Sequence, residues 1–269
     1  MDTGRPYRKY GDADGYDTYM GGWSAALCQP FVDFVGVSDR ARIIDVGCGT
    51  GNLLASLATA YPGSVLTGVD PSLVLLEKAR QRSELRGATL IEGFAEHLPL
   101  DDNAADFTLS MLVLQEFPDR LGALAQMRRV TRRGGVVAAC QWDFSRMPVI
   151  ASLMAAIKTV DPASIDQIAA NSPRVFEDED ELRDYWRRAG FEDVRTGRVA
   201  VDRSFETFDR VWRPLLAGST PSTLALAALP ITRQEAARSL MKEYFSVGSE
   251  DEPVRIHAEA LVVSGAVPA

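Results

Sequence analysis

An acid and three glycines at alternate positions form the stretch of this chain best suited to hold a ligand. Asp45 ends an apolar run, and Gly47, Gly49 and Gly51 follow it at every second position. Glycine is used where the backbone must approach a ligand closely or adopt a positive φ. The apolar run predicts a buried strand over 41–46. Leucines at helical spacing after Gly51 predict a helix, whose first turn offers free N–H groups to a ligand.

A second acid narrows the class of ligand. A predicted strand over 65–70 ends in Asp70, which lies 70 − 47 = 23 residues after Gly47. Nucleotide-binding folds place at about this distance the acid that accepts hydrogen bonds from ribose hydroxyls. The dinucleotide fingerprint also needs a glycine at its sixth position, where this chain has Asn52. The two motifs together indicate an adenosine-containing ligand and disfavour a nicotinamide dinucleotide.

The overall composition is that of an acidic globular protein. Its 269 residues include 29 Lys and Arg against 37 Asp and Glu, which gives a net charge of −8. A nucleic-acid-binding face needs clustered cations, and the one basic cluster, 128–133, is interpreted as the solvated end of a helix. We therefore expect no nucleic-acid partner. No leader and no apolar run of membrane-spanning length is recognised, so we expect no membrane partner and a cytoplasmic protein.

The cysteines and histidines do not predict a metal site. Cys28, Cys48 and Cys140 are scattered singly, which is typical of free thiols in a reducing compartment. His97 and His257 lie far apart in the chain, and neither has ligands at metal-binding spacing. We expect no metal.

Alternating strand and helix patterns predict a single α/β domain over 1–269. Two βα units in succession imply a parallel sheet with right-handed crossovers. The predicted strands are 41–46, 65–70, 88–92, 105–110, 136–142, 191–201 and 254–263. Helical stretches at 144–175 and 204–246 interrupt this rhythm, and we interpret them as insertions that form a substrate cap over the carboxyl edge of the sheet.

The N-terminal segment, 1–36, is predicted to form a lid and a helix. Tyr19, Met20 and Trp23 precede a helix that Ser24 can cap. Two interpretations of this aromatic group remain open: a lid over the ligand, or a hydrophobic staple on the helix.

Four motifs together resemble the class I S-adenosylmethionine-dependent methyltransferases, and within them the type 11, UbiE-like branch. They are the 45–51 loop, Asp70-Pro71-Ser72, the 96–100 loop and Arg133-Gly134-Gly135. The resemblance implies a Rossmann-like three-layer sandwich with a mostly parallel seven-stranded sheet of order 3-2-1-4-5-7-6, whose last strand is antiparallel. It implies S-adenosyl-L-methionine as the cofactor and S-adenosyl-L-homocysteine as its product.

The resemblance also implies roles for individual residues. The glycines would pass beneath the methionyl part of the cofactor, Asp45 would anchor the loop and the amino group, and Asp70 would hold the ribose hydroxyls. The implied cofactor-binding set is Tyr19, Trp23, Asp45, Gly47, Cys48, Gly49, Gly51, Asp70, Pro71, Ala95, Glu96, Ser110, Met111 and Gln115. The sequence departs from the family pattern at Phe94, where many members have Asp, near Gln115, where they often have His, and at Gly22, where they often have Arg.

Methyl transfer from a sulfonium needs no catalytic acid or base in principle. The charge disperses as the methyl group moves, so a dry pocket and an aligned nucleophile favour the reaction. Aromatic faces attract such a cation, and Trp23 and Trp142 are candidate walls, with a core position as the alternative. If the acceptor is a hydroxyl or amine, a base helps. Asp143 is the first candidate base and Glu116 the second, with a capping or solvated carboxylate as the alternative for each.

The sequence thus predicts an enzyme that methylates a small, partly apolar molecule. The expected substrate pocket contains Met20, Trp142, Trp212 and Arg213, where Arg213 either pairs with an acidic substrate group or is an ordinary surface arginine. Two alternatives stay open: an enzyme of the same fold that uses the cofactor for cyclisation or elimination, and a non-catalytic S-adenosylmethionine-binding module. Either a monomer or a homodimer is compatible with the sequence.

Overall fold

A computed structural model describes residues 17–249 and 251–269, and its centre is a seven-stranded sheet. In chain order the strands are β1 Arg42–Val46, β2 Val65–Asp70, β3 Thr89–Glu92, β4 Ala105–Met111, β5 Thr131–Trp142, β6 Glu192–Phe205 and β7 Val254–Ala266. Their order is β3-β2-β1-β4-β5-β7-β6. Strand β7 runs antiparallel to the other six strands of this sheet, which all run in one direction. The predicted strand order and the antiparallel last strand are confirmed.

Helices cover both faces of this sheet. In the described residues the α-helices are α1 Gly22–Val35, α2 Asn52–Ala60, α3 Leu73–Arg80, α4 Arg120–Val130, α5 Pro148–Val160, α6 Ser164–Asn171, α7 Glu179–Arg188, α8 Asp209–Leu215, α9 Pro221–Ala228 and α10 Ile231–Tyr244. A π-helical turn, Asp17–Gly21, precedes α1. Within this part of the chain, no helix combines the length and apolar character that a membrane crossing requires. Residues 1–16 of the predicted lid lie outside the described residues.

The alternation of side chains along β1 divides the apolar core into two layers. Ile43 packs in the layer that includes residues of α1, α2 and α3. Ile44 and Val46 pack in the layer beneath α4 and α7, where Trp186 is fully buried. Successive residues of a strand point to opposite faces, so this one strand joins both layers. The result is the predicted Rossmann-like three-layer sandwich.

Strand β5 begins earlier than the sequence predicted. It starts at Thr131, which pairs with Ala105, and the register then shifts so that Val136 pairs with Phe107. Gly134 has a φ of +67° in the intervening bulge. Gly134 and Gly135, which precede the predicted strand 136–142, therefore belong to an irregularity inside the strand, and a local propensity argument cannot distinguish this from a loop.

Strand β6 ends later than predicted, and this affects the site. It pairs with β7 as far as Phe205 opposite Val254, so the first two residues of the predicted insertion 204–246 belong to the strand. Because β6 runs parallel to β1–β5, its last residues lie at the carboxyl edge of the sheet. Pairing with a long partner strand extends β6 beyond the range that its own sequence indicates.

The two predicted helical insertions pack on each other. Helix α5 of the first contacts α10 of the second, and α6 contacts α9. They therefore form one helical layer, although their role as a substrate cap stays a prediction.

We expect Gly265→Ala to destabilise the fold, because a Cβ there would lie 2.8 Å from Phe191 Cβ and 2.9 Å from Trp186 Cδ1. Overpacking of this kind costs about 1–3 kcal/mol. The matched control is Gly87→Ala, because a Cβ on this exposed glycine meets no atom within 4 Å. Urea denaturation measures both variants. Equal free energies of unfolding for the two would contradict the packing assigned to Gly265.

Candidate cofactor and substrate site

The glycine loop after β1 is fastened to the end of β2. The N–H groups of Gly47 and Cys48 donate to the carbonyl of Val69 at 2.7 and 3.2 Å. The Gly49 N–H donates to Oδ2 of Asp70 at 2.8 Å. Since β1 and β2 are adjacent parallel strands, their carboxyl ends meet here, and the loop takes its shape from its neighbour.

The three glycines of the loop share a positive φ but differ in what surrounds them. All three have positive φ, of 76°, 54° and 80° for Gly47, Gly49 and Gly51. A Cβ on Gly47 would lie 2.5 Å from Val113 Cγ1, and one on Gly51 would lie 2.6 Å from Leu85 Cδ1. A Cβ on Gly49 would meet no atom within 4 Å. The backbone at Gly49 therefore borders open space in which a ligand can approach it closely.

Asp70 supports the loop as well as facing the predicted ribose position. Its Oδ1 accepts from the Ser72 N–H at 2.8 Å, while its Oδ2 accepts from Gly49. Burial raises the pKa of Asp70, and the two N–H donors partly oppose that shift. A carboxylate has about four acceptor sites, so two remain for ribose hydroxyls. The bond to Gly49 was missed from the sequence, because no local pattern reports a contact between two loops.

Asp45 is a buried carboxyl that lacks a full set of partners. Its side chain is 2% exposed, and Oδ1 has no hydrogen-bond partner. Burial, with a further contribution from the charge of Asp70, raises the pKa of Asp45 to about 8. An isolated buried carboxylate is costly, so this position favours a ligand that brings a positive charge.

Further buried polar atoms near this loop lack partners. Ser24 and Asp45 line a cavity of about 40 Å³ together with Met111 and the glycine loop. The unpartnered atoms at this edge of the sheet are Ser24 Oγ, Asp45 Oδ1, Ser110 Oγ, Gln115 Oε1 and Trp142 Nε1. Buried polar groups are normally hydrogen-bonded. Four of these five residues belong to the predicted cofactor or pocket set, and their unsatisfied atoms fit a polar, cationic ligand such as S-adenosylmethionine.

The loops after β3 and β4 form the rest of the site at the carboxyl edge of the sheet. The Gly93 N–H donates to the carbonyl of Asp70 at 3.2 Å, so the loop that contains Ala95 and Glu96 starts beside the predicted ribose position. After β4, Leu112 adopts a φ of +64°, a strained conformation of the kind found at functional sites. The Gln115 side-chain amide donates to the carbonyl of Leu112 at 2.7 Å, which holds its unpartnered oxygen in place.

The carboxylate of Asp143 is occupied by neighbours. Oδ1 accepts from the N–H and Oγ of Ser145 at 3.1 and 2.5 Å, and Oδ2 accepts from Arg198 Nε at 3.3 Å. These bonds favour the capping alternative. The base role of Asp143 stays a prediction, as does that of Glu116, which lies in the short 3-10 turn Leu114–Glu116.

A larger cavity of about 540 Å³ adjoins the start of α1. This volume is typical of small-molecule sites. The cavity is lined by Thr18, Tyr19, Gly22, Trp23, Val149, Arg203, Ser204, Phe205, Glu206, Arg210, Val211 and Pro214. The Trp23 and Trp142 rings meet edge to face, with their centroids 6.2 Å apart. The ring centroids of Trp23 and Phe205 are 5.9 Å apart.

None of the four predicted pocket residues is among those that line this larger cavity. Met20 and Trp212 are buried in the core, and Trp142 is buried against the cavity-lining Trp23. Arg213 has 78% of its side chain exposed and pairs with Asp209 of the same helix, which favours the surface alternative. The pocket role of these residues stays a prediction. Arg203 was not predicted from the sequence, because β6 was expected to end before it.

The comparisons with known proteins agree with this arrangement. A family model described as a methyltransferase domain matches residues 44–139. A demethylmenaquinone methyltransferase of Roseiflexus castenholzii is 31% identical over 201 residues, which cover 68% of this chain and 82% of that protein. The chain belongs to the class I S-adenosylmethionine-dependent methyltransferases, in the UbiE-like branch. Its cofactor is S-adenosyl-L-methionine.

Solved structures show the same fold. A phosphoethanolamine N-methyltransferase of Haemonchus contortus in complex with S-adenosyl-L-methionine has a TM-score of 0.59 at 16% identity, covering 96% of this chain and 57% of that one. The 4+2 cyclase SpnF has a TM-score of 0.56 at 17% identity, covering 100% and 90%. At these identities, the likeness of each structure to this chain concerns the fold alone.

We expect Asp45→Asn to stabilise the ligand-free methyltransferase at alkaline pH. An unfolded Asp ionises near pH 4, whereas folded Asp45 keeps its proton up to about pH 8. The folded state therefore binds the extra proton between these values, and wild-type stability falls as pH rises through this window. Thermal unfolding at pH 5 and pH 9 should show a higher Tm for Asp45→Asn than for the wild type, with a difference that grows with pH. Each kcal/mol of stabilisation corresponds to about 2–4 °C.

The control for this measurement is Asp102→Asn, because the Asp102 side chain is 69% exposed. A gain for Asp45→Asn that is the same at both pH values would contradict the raised pKa.

We expect Asp17→Ala to speed the release of S-adenosylhomocysteine. Asp17 lies at the start of the π-helical turn, accepts a hydrogen bond from Thr50 Oγ1 at 2.8 Å, and pairs with Lys78 at 2.8 Å. It thus ties the N-terminal turn to the glycine loop. Losing a partly exposed ion pair of this kind should raise the dissociation rate about two- to fivefold, as measured by stopped-flow fluorescence.

Glu77→Ala serves as the control for Asp17→Ala, since it removes an exposed ion pair with Arg80 on the same helix as Lys78. Equal dissociation rates for wild type and Asp17→Ala would argue against a lid.

Proposed function

We propose that this enzyme transfers the methyl group of S-adenosylmethionine to a small, partly apolar molecule bound in the 540 Å³ cavity. The observation that carries the proposal is the contiguity of two sites. Trp23 lines the large cavity, and its neighbour in the chain, Ser24, lines the cavity of the glycine loop. The name of the Roseiflexus relative, a demethylmenaquinone methyltransferase, supports a small-molecule acceptor.

The residues at the carboxyl edge have separate tasks in holding the cofactor. Asp45 would accept from the amino group, Asp70 would accept from the ribose hydroxyls, and the loop with Ala95 and Glu96 would flank the adenine. Gly49 would let the backbone approach the methionyl part. When bound, S-adenosylmethionine supplies a methyl group activated by its sulfonium.

The acceptor side supplies alignment and a dry environment. Trp23, Phe205 and Val149 form apolar walls that exclude water and restrict the orientation of a flat acceptor. Such positioning accounts for a large part of the barrier reduction in two-substrate reactions. The buried Gln115 Oε1 can accept a hydrogen bond from a hydroxyl or amine. If such an acceptor needs a base, Asp143 and Glu116 remain the candidates.

Cyclisation or elimination is the second candidate function, because the SpnF cyclase shares the fold. The two functions differ in their products. Transfer adds one methyl group to the acceptor and yields S-adenosylhomocysteine in equal amount, whereas cyclisation leaves the acceptor mass unchanged. Mass analysis of acceptor and cofactor products distinguishes them.

The first test of the proposal is a calorimetric titration with S-adenosylhomocysteine at pH 7. We expect binding to the wild type and at least about a tenfold loss in Asp70→Ala, the equivalent of about 1.4 kcal/mol. Asp102→Ala should bind like the wild type. No measurable binding by the wild type would contradict the proposal.

The same titration in buffers of different ionisation enthalpy tests Asp45. A cationic amino group next to Asp45 lowers its pKa from about 8, so binding at pH 7 should release a proton into the buffer. The observed heat should then depend on the buffer for the wild type and not for Asp45→Asn.

A further inference from the structure

Arg203 is a partly buried cation on the wall of the large cavity. Its guanidinium carbon lies 4.9 Å from the Trp23 ring centroid and 4.7 Å from that of Phe205. Burial lowers the pKa of Arg203, as expected for a cation withdrawn from water. Cation–π contacts of this type stabilise a guanidinium but supply no hydrogen-bond acceptor to its N–H groups.

No carboxylate among the described residues pairs with Arg203. Its chain neighbour Asp202 lies on the opposite face of the sheet, because successive strand residues alternate, and is bonded to His257 at 2.9 Å. By contrast, Arg198 on the same strand pairs with Asp143 and Glu179. Arg203 is therefore exceptional on β6 in being withdrawn from solvent and left without an anion.

The other charged groups of the cavity do not neutralise Arg203. Arg210 and Glu206 also line it, and both are exposed. Among the described lining residues, two guanidiniums against one carboxylate give this cavity a positive charge, although the whole chain has a net charge of −8. A local positive field in an acidic protein favours an anionic ligand.

Gly22 provides the space that the guanidinium occupies. A Cβ on Gly22 would lie 2.6 and 2.8 Å from the two terminal nitrogens of Arg203. Gly22 is also the place where the sequence departs from the arginine of the family pattern. In this chain a guanidinium is thus present near that place but is contributed by β6.

We propose that Arg203 is a specificity-determining residue that binds the carboxylate of the methyl acceptor, so that the acceptor is a flat, apolar carboxylic acid. This rests on the proposed function, since it takes the large cavity as the acceptor site. Guanidinium and carboxylate match in a bidentate pair, and the aromatic walls suit an aromatic or conjugated body. A neutral acceptor would leave the withdrawn cation unpaired.

The cofactor also has a carboxylate, on its methionyl part, that a guanidinium can bind. The cavity lined by Arg203 and the cavity of the glycine loop share no lining residue. This separation favours the acceptor.

The test uses benzoate as the probe and benzamide as its uncharged counterpart, each titrated by ligand-observed NMR into the full-length enzyme saturated with S-adenosylhomocysteine. We expect benzoate to bind in the millimolar range and benzamide about tenfold more weakly or not at all. Arg203→Gln should remove this preference, and Arg203→Lys should restore part of it, since a point charge replaces the fork.

Two further variants separate charge from structure. Gly22→Ala keeps Arg203 but places a methyl group in its space, and alanine suits a helix better than glycine, so benzoate binding should weaken while the fold persists. Arg195→Gln is the matched control, because Arg195 is on the same strand and covers an aromatic ring, Phe34, at 5.5 Å, but does not line the cavity. It should bind benzoate like the wild type.

Three outcomes of the benzoate and benzamide titrations would overturn the inference. They are no saturable benzoate binding, equal binding of benzoate and benzamide, or equal benzoate binding by wild type and Arg203→Gln. If Arg203→Gln instead loses affinity for S-adenosylhomocysteine, the guanidinium serves the cofactor and the acceptor assignment is wrong. Normal S-adenosylhomocysteine binding in the wild type beside any of these results would leave the proposed function intact.

Discussion

The hydrogen bond from the Gly49 N–H to Asp70 is the interaction on which the site depends most. It ties the loop after β1 to the end of β2, and the bonds from Gly47 and Cys48 to Val69 repeat that connection. With three positive φ angles in five residues, this loop would be a poorly defined segment without such bonds. The parallel pairing of β1 and β2 thus converts a flexible sequence into a preformed surface for the cofactor.

Two ionisable groups without a full set of partners distinguish this surface. Asp45 is a buried carboxyl with an unsatisfied oxygen, and Arg203 is a half-buried guanidinium with no carboxylate partner among the described residues. Each is unfavourable for folding by itself. If the partners of these groups arrive with the ligands, as we propose, the ligand-free state is less stable than its core would permit. Stability and binding are therefore opposed at these two positions.

The aromatic group at the start of the chain connects the two cavities. The sequence allowed a staple or a lid, and the structure shows features of both. Tyr19 and Trp23 are buried against the core, as a staple requires, and both also line the large cavity. The tether from Asp17 to Thr50 and Lys78 adds a polar connection to the glycine loop. Apolar packing and the polar tether therefore both hold this segment in place, and its opening as a lid stays a prediction.

The sequence by itself determined the fold class and the kind of ligand, because both leave local patterns. Strand-turn-helix periodicity, the glycine spacing and Asp70 are short-range signals that predicted a parallel α/β sheet and an adenosine-containing ligand. The family resemblance then implied the strand order and the cofactor. The tertiary structure decided the lining of the large cavity. Arg203 lines it because β7 extends β6 to Phe205. This outcome depends on pairing between residues that are distant in the chain, and local propensity does not report these contacts.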